Sequence, residues 1–152
     1  MITPKKASRE FWDSVTSLGL PSFIILALVL FWGMNQSFSF VVSMVLYFFL
    51  EATGAGIKLI YQKDRPQPET RNTLFERYQS GSFPSLHTAR ISYLTMIVVF
   101  SGLFSQTVSV MMLLVLVLVA YSRIHLKKHF PLDIVGGLIV GALFGYIFLL
   151  LQ

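Results

Sequence analysis

The chain has 152 residues, 55% of them hydrophobic and only 12% charged, where an ordinary soluble domain carries about 25% charged. A mean hydropathy of +0.69 is more apolar surface than a water-soluble core of this size can hide, and the lack of cysteine excludes a disulfide scaffold. Twelve Lys and Arg against seven Asp and Glu leave a formal charge of +5, unevenly placed.

Taken in chain order, the first element is amphipathic. Phe11, Trp12, Val15 and Leu18 recur at helical spacing among Lys5, Lys6, Arg9, Glu10 and Asp13, which predicts an interfacial helix over about residues 1–19 with a Trp anchor. A cleaved signal peptide is the competing reading. It is disfavoured because the polar lead of about twenty residues is too long and no small-x-small cleavage site follows the apolar run.

Five apolar runs then approach the roughly 20 residues that a spanning helix needs. They are predicted at about 20–34, 38–60, 84–104, 107–122 and 131–151, and none alternates with the period of a strand. Pro21 stands near the first opening turn, where proline is tolerated. The expected architecture is an all-α, five-span integral membrane bundle forming one membrane-embedded domain over 1–152.

The connections are of two kinds. Met34–Ser39 and Gly102–Gln106 carry no Lys or Arg, whereas every basic residue lies in the N-terminal segment, around the 60–83 loop, in the 122–130 loop or at the flanking helix ends. With five spans these three regions share one side of the membrane. The positive-inside rule puts that side in the cytoplasm, although cations that belong to an anion site do not count towards it. The protein is thus expected to be multi-pass in the cell membrane, with no nucleic-acid partner.

On this basic face the second span closes on Lys58 and leads to Arg65 and Pro66. The third opens with Pro84, Ser85, Leu86 and His87. The fourth closes with Ser122 and Arg123, and His129 and Asp133 flank the start of the fifth. Helix N-termini present unpaired N–H groups and positive dipole ends that suit an anion. Arginine adds a fork matched to phosphate oxygens. An imidazole can attack phosphorus and a second can protonate the departing oxygen. His129 and Asp133, four apart, share a helical face, so the carboxylate can hold the other ring nitrogen. No Cys/His set or second acid cluster supplies metal ligands.

These spacings, Lys58-x6-Arg65-Pro66, Pro84-Ser85-x-His87 and Ser122-Arg123-x5-His129-x3-Asp133, resemble the three-part signature of the type 2 phosphatidic acid phosphatase family. That superfamily spans lipid phosphatases, polyprenyl diphosphate phosphatases, glucose-6-phosphatase and the soluble vanadium haloperoxidases, and the resemblance extends from about Phe11 onwards. It implies His129 as nucleophile, Asp133 as its orienting partner and His87 as general acid. It further implies that Lys58, Arg65, Arg123, Ser85 and the backbone at Leu86 hold the phosphoryl oxygens, with neither metal nor cofactor. Many members have glycine where Leu86 stands, and the amphipathic N-terminal helix takes the place of the first of six spans common in the family; the resemblance often implies an extracytoplasmic site, against the cytoplasmic side given by the basic bias.

Each residue has a bland reading as well. Lys58 and Arg123 suit helix C-termini, and Asp133 suits a first turn. Singly those readings prevail; jointly they do not produce the spacings. His125, Lys127 and Lys128 read as interfacial charges. Arg90, one turn beyond His87, either extends the cationic site or snorkels. Glu51, an acid inside a span, requires a partner, either a cation of the site or a hydrogen bond across the bundle. Gly137, Gly141 and Gly145 form a small-xxx-small stripe that predicts close packing within the monomer or, as the alternative, a homodimer seam.

The expected activity is hydrolysis of the terminal phosphate of a lipid phosphate or diphosphate, whether polyprenyl diphosphate, phosphatidate or phosphatidylglycerophosphate. The alternatives are a lipid phosphotransferase using the same histidine and a non-catalytic anion-binding membrane protein.

Overall fold

The computed structural model describes residues 4–32, 37–67, 69 and 71–152, and among them the chain forms helices and no strand. In order these are α1 (Pro4–Ser17), α2 (Pro21–Trp32), α3 (Ser37–Ile60), α4 (Leu74–Ser80), α5 (Leu86–Phe100), α6 (Gln106–His125) and α7 (Pro131–Leu150). The expected all-helical, multi-pass membrane bundle is the fold. α3, α6 and α7 are long and apolar enough to cross a bilayer unaided. α2, with 12 residues, and α5, with 15, are shorter apolar members of the bundle.

Two boundaries differ from expectation for local reasons. The third span was expected over 84–104, but α5 starts at Leu86, because Phe83 and Pro84 form a bend and Ser85 before the helix is extended. It ends at Phe100, and Gly102 then takes a left-handed φ of 72°, a turn conformation open to glycine, before Ser105 caps α6. The first span maps onto α2, and its expected end at Gly33 and Met34 lies outside the described residues.

The amphipathic N-terminal segment is helical as α1, and a turn over Leu18–Leu20 joins it to α2 at a bend of 47°. Trp12 fixes α1 to α6, its ring centroid 5.0 Å from Tyr121 and 5.3 Å from His125.

α5 is the central helix because its composition suits no other place. Thr88, Arg90, Ser92 and Thr95 would be costly against lipid, and all four are buried among the other helices. Their polar atoms find partners there: Ser92 donates to the Leu138 carbonyl at 3.0 Å and Thr95 to Ile91 at 2.7 Å. Tyr93, fully buried, donates to the Ser43 carbonyl of α3 at 2.7 Å. The outer faces carry Phe48, Val117 and Ile139, each more than 60% exposed, as lipid-facing side chains are.

The glycine stripe of α7 lies directly on α5. A Cβ on Gly137 would stand 2.5 Å from the Ser85 carbonyl oxygen, one on Gly141 2.1 Å from that of Ala89, and one on Gly145 2.3 Å from Met96 Cβ. The backbones approach this closely only because no side chain intervenes. The homodimer seam through Gly137, Gly141 and Gly145 is therefore corrected: α5 of the same chain already occupies that stripe. Gly141→Val is expected to destabilise the detergent-solubilised protein by about 1–3 kcal/mol or more through overpacking. A thermal melt unchanged from wild type would contradict this packing.

Candidate active site

The ends of α3 and α6, the starts of α5 and α7 and the segment from Tyr61 to Ser85 meet on the basic face. Lys58, in the last turn of α3, is buried and donates to the Gly81 carbonyl at 2.5 Å. Arg65 donates to Glu69 Oε1 at 2.9 Å and to the Gln79 carbonyl, and Arg123 donates to Thr16 Oγ1 of α1 at 2.8 Å. The Nε atoms of Arg65 and Arg123 are both buried and have no hydrogen-bond partner.

These side chains border a cavity of about 330 Å³ lined by Lys58, Arg65, Leu86, His87, Arg90, Arg123, Lys128 and His129, with Glu69, Tyr78 and Gln79. Sequence reasoning selected six of these residues: Lys58, Arg65, Leu86, His87, Arg123 and His129. The structure brings all six to one space. Buried cationic donors left unpartnered beside a cavity have the chemistry to take an anion with several oxygens.

Asp133 and Ser85 lie behind this lining. Ser85 is fully buried, its hydroxyl accepts from Thr88 Oγ1 at 3.0 Å, and its N–H donates to the Asp133 carbonyl at 2.9 Å. Asp133, also fully buried, accepts from Lys63 Nζ at 2.6 Å, from the Phe130 N–H at 2.8 Å and from Ser82 Oγ. His129 Nδ1 lies 3.6 Å from Asp133 Oδ2 and is buried without a hydrogen-bond partner. The ring of His129 thus stands between the carboxylate and the cavity. Burial pushes this imidazole down to about 4, with Arg123, Lys58 and Arg65 acting in the same sense and Asp133 opposing them.

Leu86 occupies its place by a complementary hollow in α3. A Cβ on Gly54 would be 2.2 Å from Leu86 Cδ2, so Gly54 provides the room for the leucine. Gly19, in the turn between α1 and α2, does the same for His87, whose Cβ would be 2.9 Å from a Cβ there.

Arg90 combines both roles open to it: it lines the cavity, and it answers the question of Glu51. Its Nε and Nη2 donate to Glu51 Oε1 and Oε2 at 2.5 and 2.8 Å, and its Nη1 to the Gly19 carbonyl at 3.2 Å. Lys128 likewise lines the cavity, 3.5 Å from Glu69, while His125 packs on the rings of Trp12 and Tyr121.

Sequence reasoning missed Lys63, Ser82, Glu69, Tyr78 and Gln79. Tyr78 and Gln79 belong to α4, whose start had a readable signal in Thr73-x-x-Glu76. Thr73 Oγ1 accepts from the Glu76 N–H at 3.1 Å, and Glu76 accepts from the Asn72 N–H at 2.6 Å.

The molecule is a multi-pass membrane protein with a cation-lined cavity at one end of its bundle. The chain belongs to the PAP2 superfamily, whose family model matches residues 32–152. It is 29% identical over 93 residues to the undecaprenyl-diphosphatase BcrC of Bacillus subtilis, a stretch that covers 60% of this chain and 47% of that protein. The chain thus spans about half the length of this curated relative. Its fold is similar to that of LpxE from Aquifex aeolicus, with a TM-score of 0.76 at 22% identity over 97% of this chain and 87% of that one. It is also similar to that of a transmembrane PAP2 type phosphatidylglycerolphosphate phosphatase from Bacillus subtilis. There the TM-score is 0.78 at 21% identity, over 96% of this chain and 76% of that one.

Proposed function

We propose that this protein is a membrane phosphatase that hydrolyses the terminal phosphate of a lipid phosphate or diphosphate through a phosphohistidine on His129. The observation that carries the reading is one cavity holding two imidazoles, His87 and His129, among Lys58, Arg65 and Arg123, with two buried arginine Nε donors left over for an anion. His129 attacks the terminal phosphorus as the bond to the leaving oxygen breaks, and His87 supplies that oxygen with a proton. Water, losing a proton to His87, then displaces the histidine nitrogen and releases inorganic phosphate.

Lys58, Arg65 and Arg123 neutralise charge on the transferring phosphoryl group, the work that a metal ion does elsewhere, so the reaction is written without one. The N–H groups opening α5 at Leu86 and His87 add donors to the same oxygens. Ser85, whose hydroxyl accepts from Thr88 Oγ1, keeps its own O–H to donate to a phosphoryl oxygen in this scheme. A polyprenyl diphosphate is the leading substrate, a choice supported by the name of the Bacillus subtilis relative, with phosphatidate and phosphatidylglycerophosphate next.

The test is phosphate release by the detergent-purified protein in EDTA from these three lipids. Turnover that persists in EDTA supports the metal-free scheme. A phosphorylated His129 that passes its group to an alcohol without releasing phosphate would convert the reading to a phosphotransferase. No reaction with any lipid, from folded protein, would refute it.

The pH profile gives a further expected result. With its proton affinity lowered by burial, His129 keeps its attacking nitrogen free down to about pH 4. The limb of kcat/KM that reports protonation of the free-enzyme nucleophile is therefore expected near pH 4, where an unperturbed histidine would place it near 6.5. A nucleophile limb at 6.5, measured on protein shown to remain folded, would contradict the buried placement.

A further inference from the structure

We propose that Lys63 and Ser82 form a two-sided clamp on the Asp133 carboxylate and are positioning residues for His129. The proposal rests on the reading of His129 as the nucleophile. Neither residue belongs to the spacings that define the site, and neither lines the cavity.

The geometry is specific. Lys63 Nζ donates to Asp133 Oδ1 at 2.6 Å, and Ser82 Oγ donates to Oδ2, so each carboxylate oxygen has its own side-chain donor. The two donors are themselves tied, because the Ser82 N–H donates to the Lys63 carbonyl at 2.9 Å. Lys63 Nζ also lies 5.1 Å from the centre of the Phe130 ring, and the Phe130 N–H donates to Oδ2 at 2.8 Å. Asp133 is completely buried, so rotation of its carboxylate is opposed by three donors from two separate segments.

That rigidity has a chemical purpose at His129. Its Nδ1 faces Oδ2 at 3.6 Å without a hydrogen bond, and the carboxylate orientation decides whether that contact closes when the ring acquires charge. A carboxylate free to turn would pair with the ring earlier and more strongly. One held by a lysine ammonium gives up part of its negative field. Lys63 therefore both fixes the direction of the pull on His129 and limits its strength. The other groups that act on this ring are Lys58 of α3, Arg65 of the following loop, His87 of α5 and Arg123 of α6. All four belong to the cavity and none touches Asp133 in this way.

The experiment compares Lys63→Met, Lys63→Arg, Ser82→Ala and the exposed-surface control Lys127→Asn with wild type. All are prepared as full-length protein in detergent and shown to be monodisperse. Two readouts are taken. The first is kcat and KM for phosphate release from farnesyl diphosphate and from phosphatidate. The second is the titration of His129 by ¹⁵N-imidazole NMR, assigned with His129→Ala, which needs no turnover.

Misplacement of a catalytic group by about 1 Å costs on the order of 100-fold, so Lys63→Met is expected to lose 10- to 100-fold in kcat with KM within about twofold. Its His129 titration is expected to move to higher pH. Lys63→Arg restores both in large part, Ser82→Ala lowers kcat with a smaller shift, and Lys127→Asn matches wild type. If Lys63→Met does not fold, Ser82→Ala alone decides the matter, since it removes one hydroxyl.

An unchanged kcat together with an unchanged His129 titration in the folded variants overturns the clamp. If wild type turns over neither lipid while the His129 titration still moves with Lys63, the clamp stands and the phosphatase reading fails.

Discussion

His129→Ala is expected to lower phosphate release by at least about 10⁴-fold, since loss of a nucleophile that acts in a unit with its base removes nearly the whole chemical contribution. Lipid binding should survive, because in the proposed scheme Lys58, Arg65 and Arg123 hold the phosphoryl group from three other positions. The measurement is single-turnover phosphate release beside equilibrium binding of the same lipid. Under the proposed mechanism wild-type protein quenched in alkaline detergent also carries label from a ³²P-lipid that His129→Ala does not. Residual release within tenfold of wild type would show that water attacks directly and that His129 serves only to bind. Asp133→Asn provides a graded comparison. In a related triad arrangement the same isosteric change costs about 10⁴-fold, because it favours the wrong ring tautomer.

The second large effect concerns stability. Arg90→Met is expected to cost about 3–5 kcal/mol, because Glu51 would be left as an uncompensated charge inside the bundle. Arg90 is only 5% exposed and joins three segments: its own helix α5, Glu51 of α3 and the Gly19 carbonyl between α1 and α2. Adding Glu51→Gln to Arg90→Met should recover a substantial part of the loss, since it removes the orphaned carboxylate. Thermal unfolding of wild type, both single variants and the double variant in one detergent completes the cycle. Additive losses in the double variant would mean that the two residues stabilise the bundle independently, against the bidentate pair described above.

Most of the bundle was legible in the sequence because lipid imposes a simple rule on composition. α3, α6 and α7 are long, predominantly apolar runs, and their predicted limits agree with the structure to within three residues. α5 was harder to delimit. Its Thr88, Arg90, Ser92 and Thr95 are paid for by burial in the centre, and apolar runs alone do not distinguish a central helix from a lipid-facing one. α4 went unread because seven residues, with Glu76, Arg77 and Gln79 among Leu74, Phe75 and Tyr78, are too few to show a helical period, and the cap at Thr73 is its clearest mark.

At the site, six of the residues that line the cavity were legible from spacing, since they lie at or shortly beyond helix ends whose positions the apolar runs already define. Lys63 was not. Its partner Asp133 is 70 positions away, and the contact depends on how the 61–85 segment folds over α7. Arg90 and Glu51, 39 apart on two helices, were each noticed as anomalous, but their pairing depends on the rotation of α5 against α3. The glycine stripe showed the converse ambiguity. Its spacing announced a close helix neighbour without saying whether that neighbour belonged to the same chain.

The seating of Leu86 on Gly54 constrains the order in which this chain could diverge. A methyl at position 54 would stand 2.2 Å from Leu86 Cδ2, so Leu86 has to turn aside or shorten before a side chain fits there. Shortening Leu86 first is permitted, since it leaves a hole of a kind that proteins survive at a cost of about 2–5 kcal/mol. Shortening position 86 before a side chain arrives at position 54 is therefore the less costly order of change.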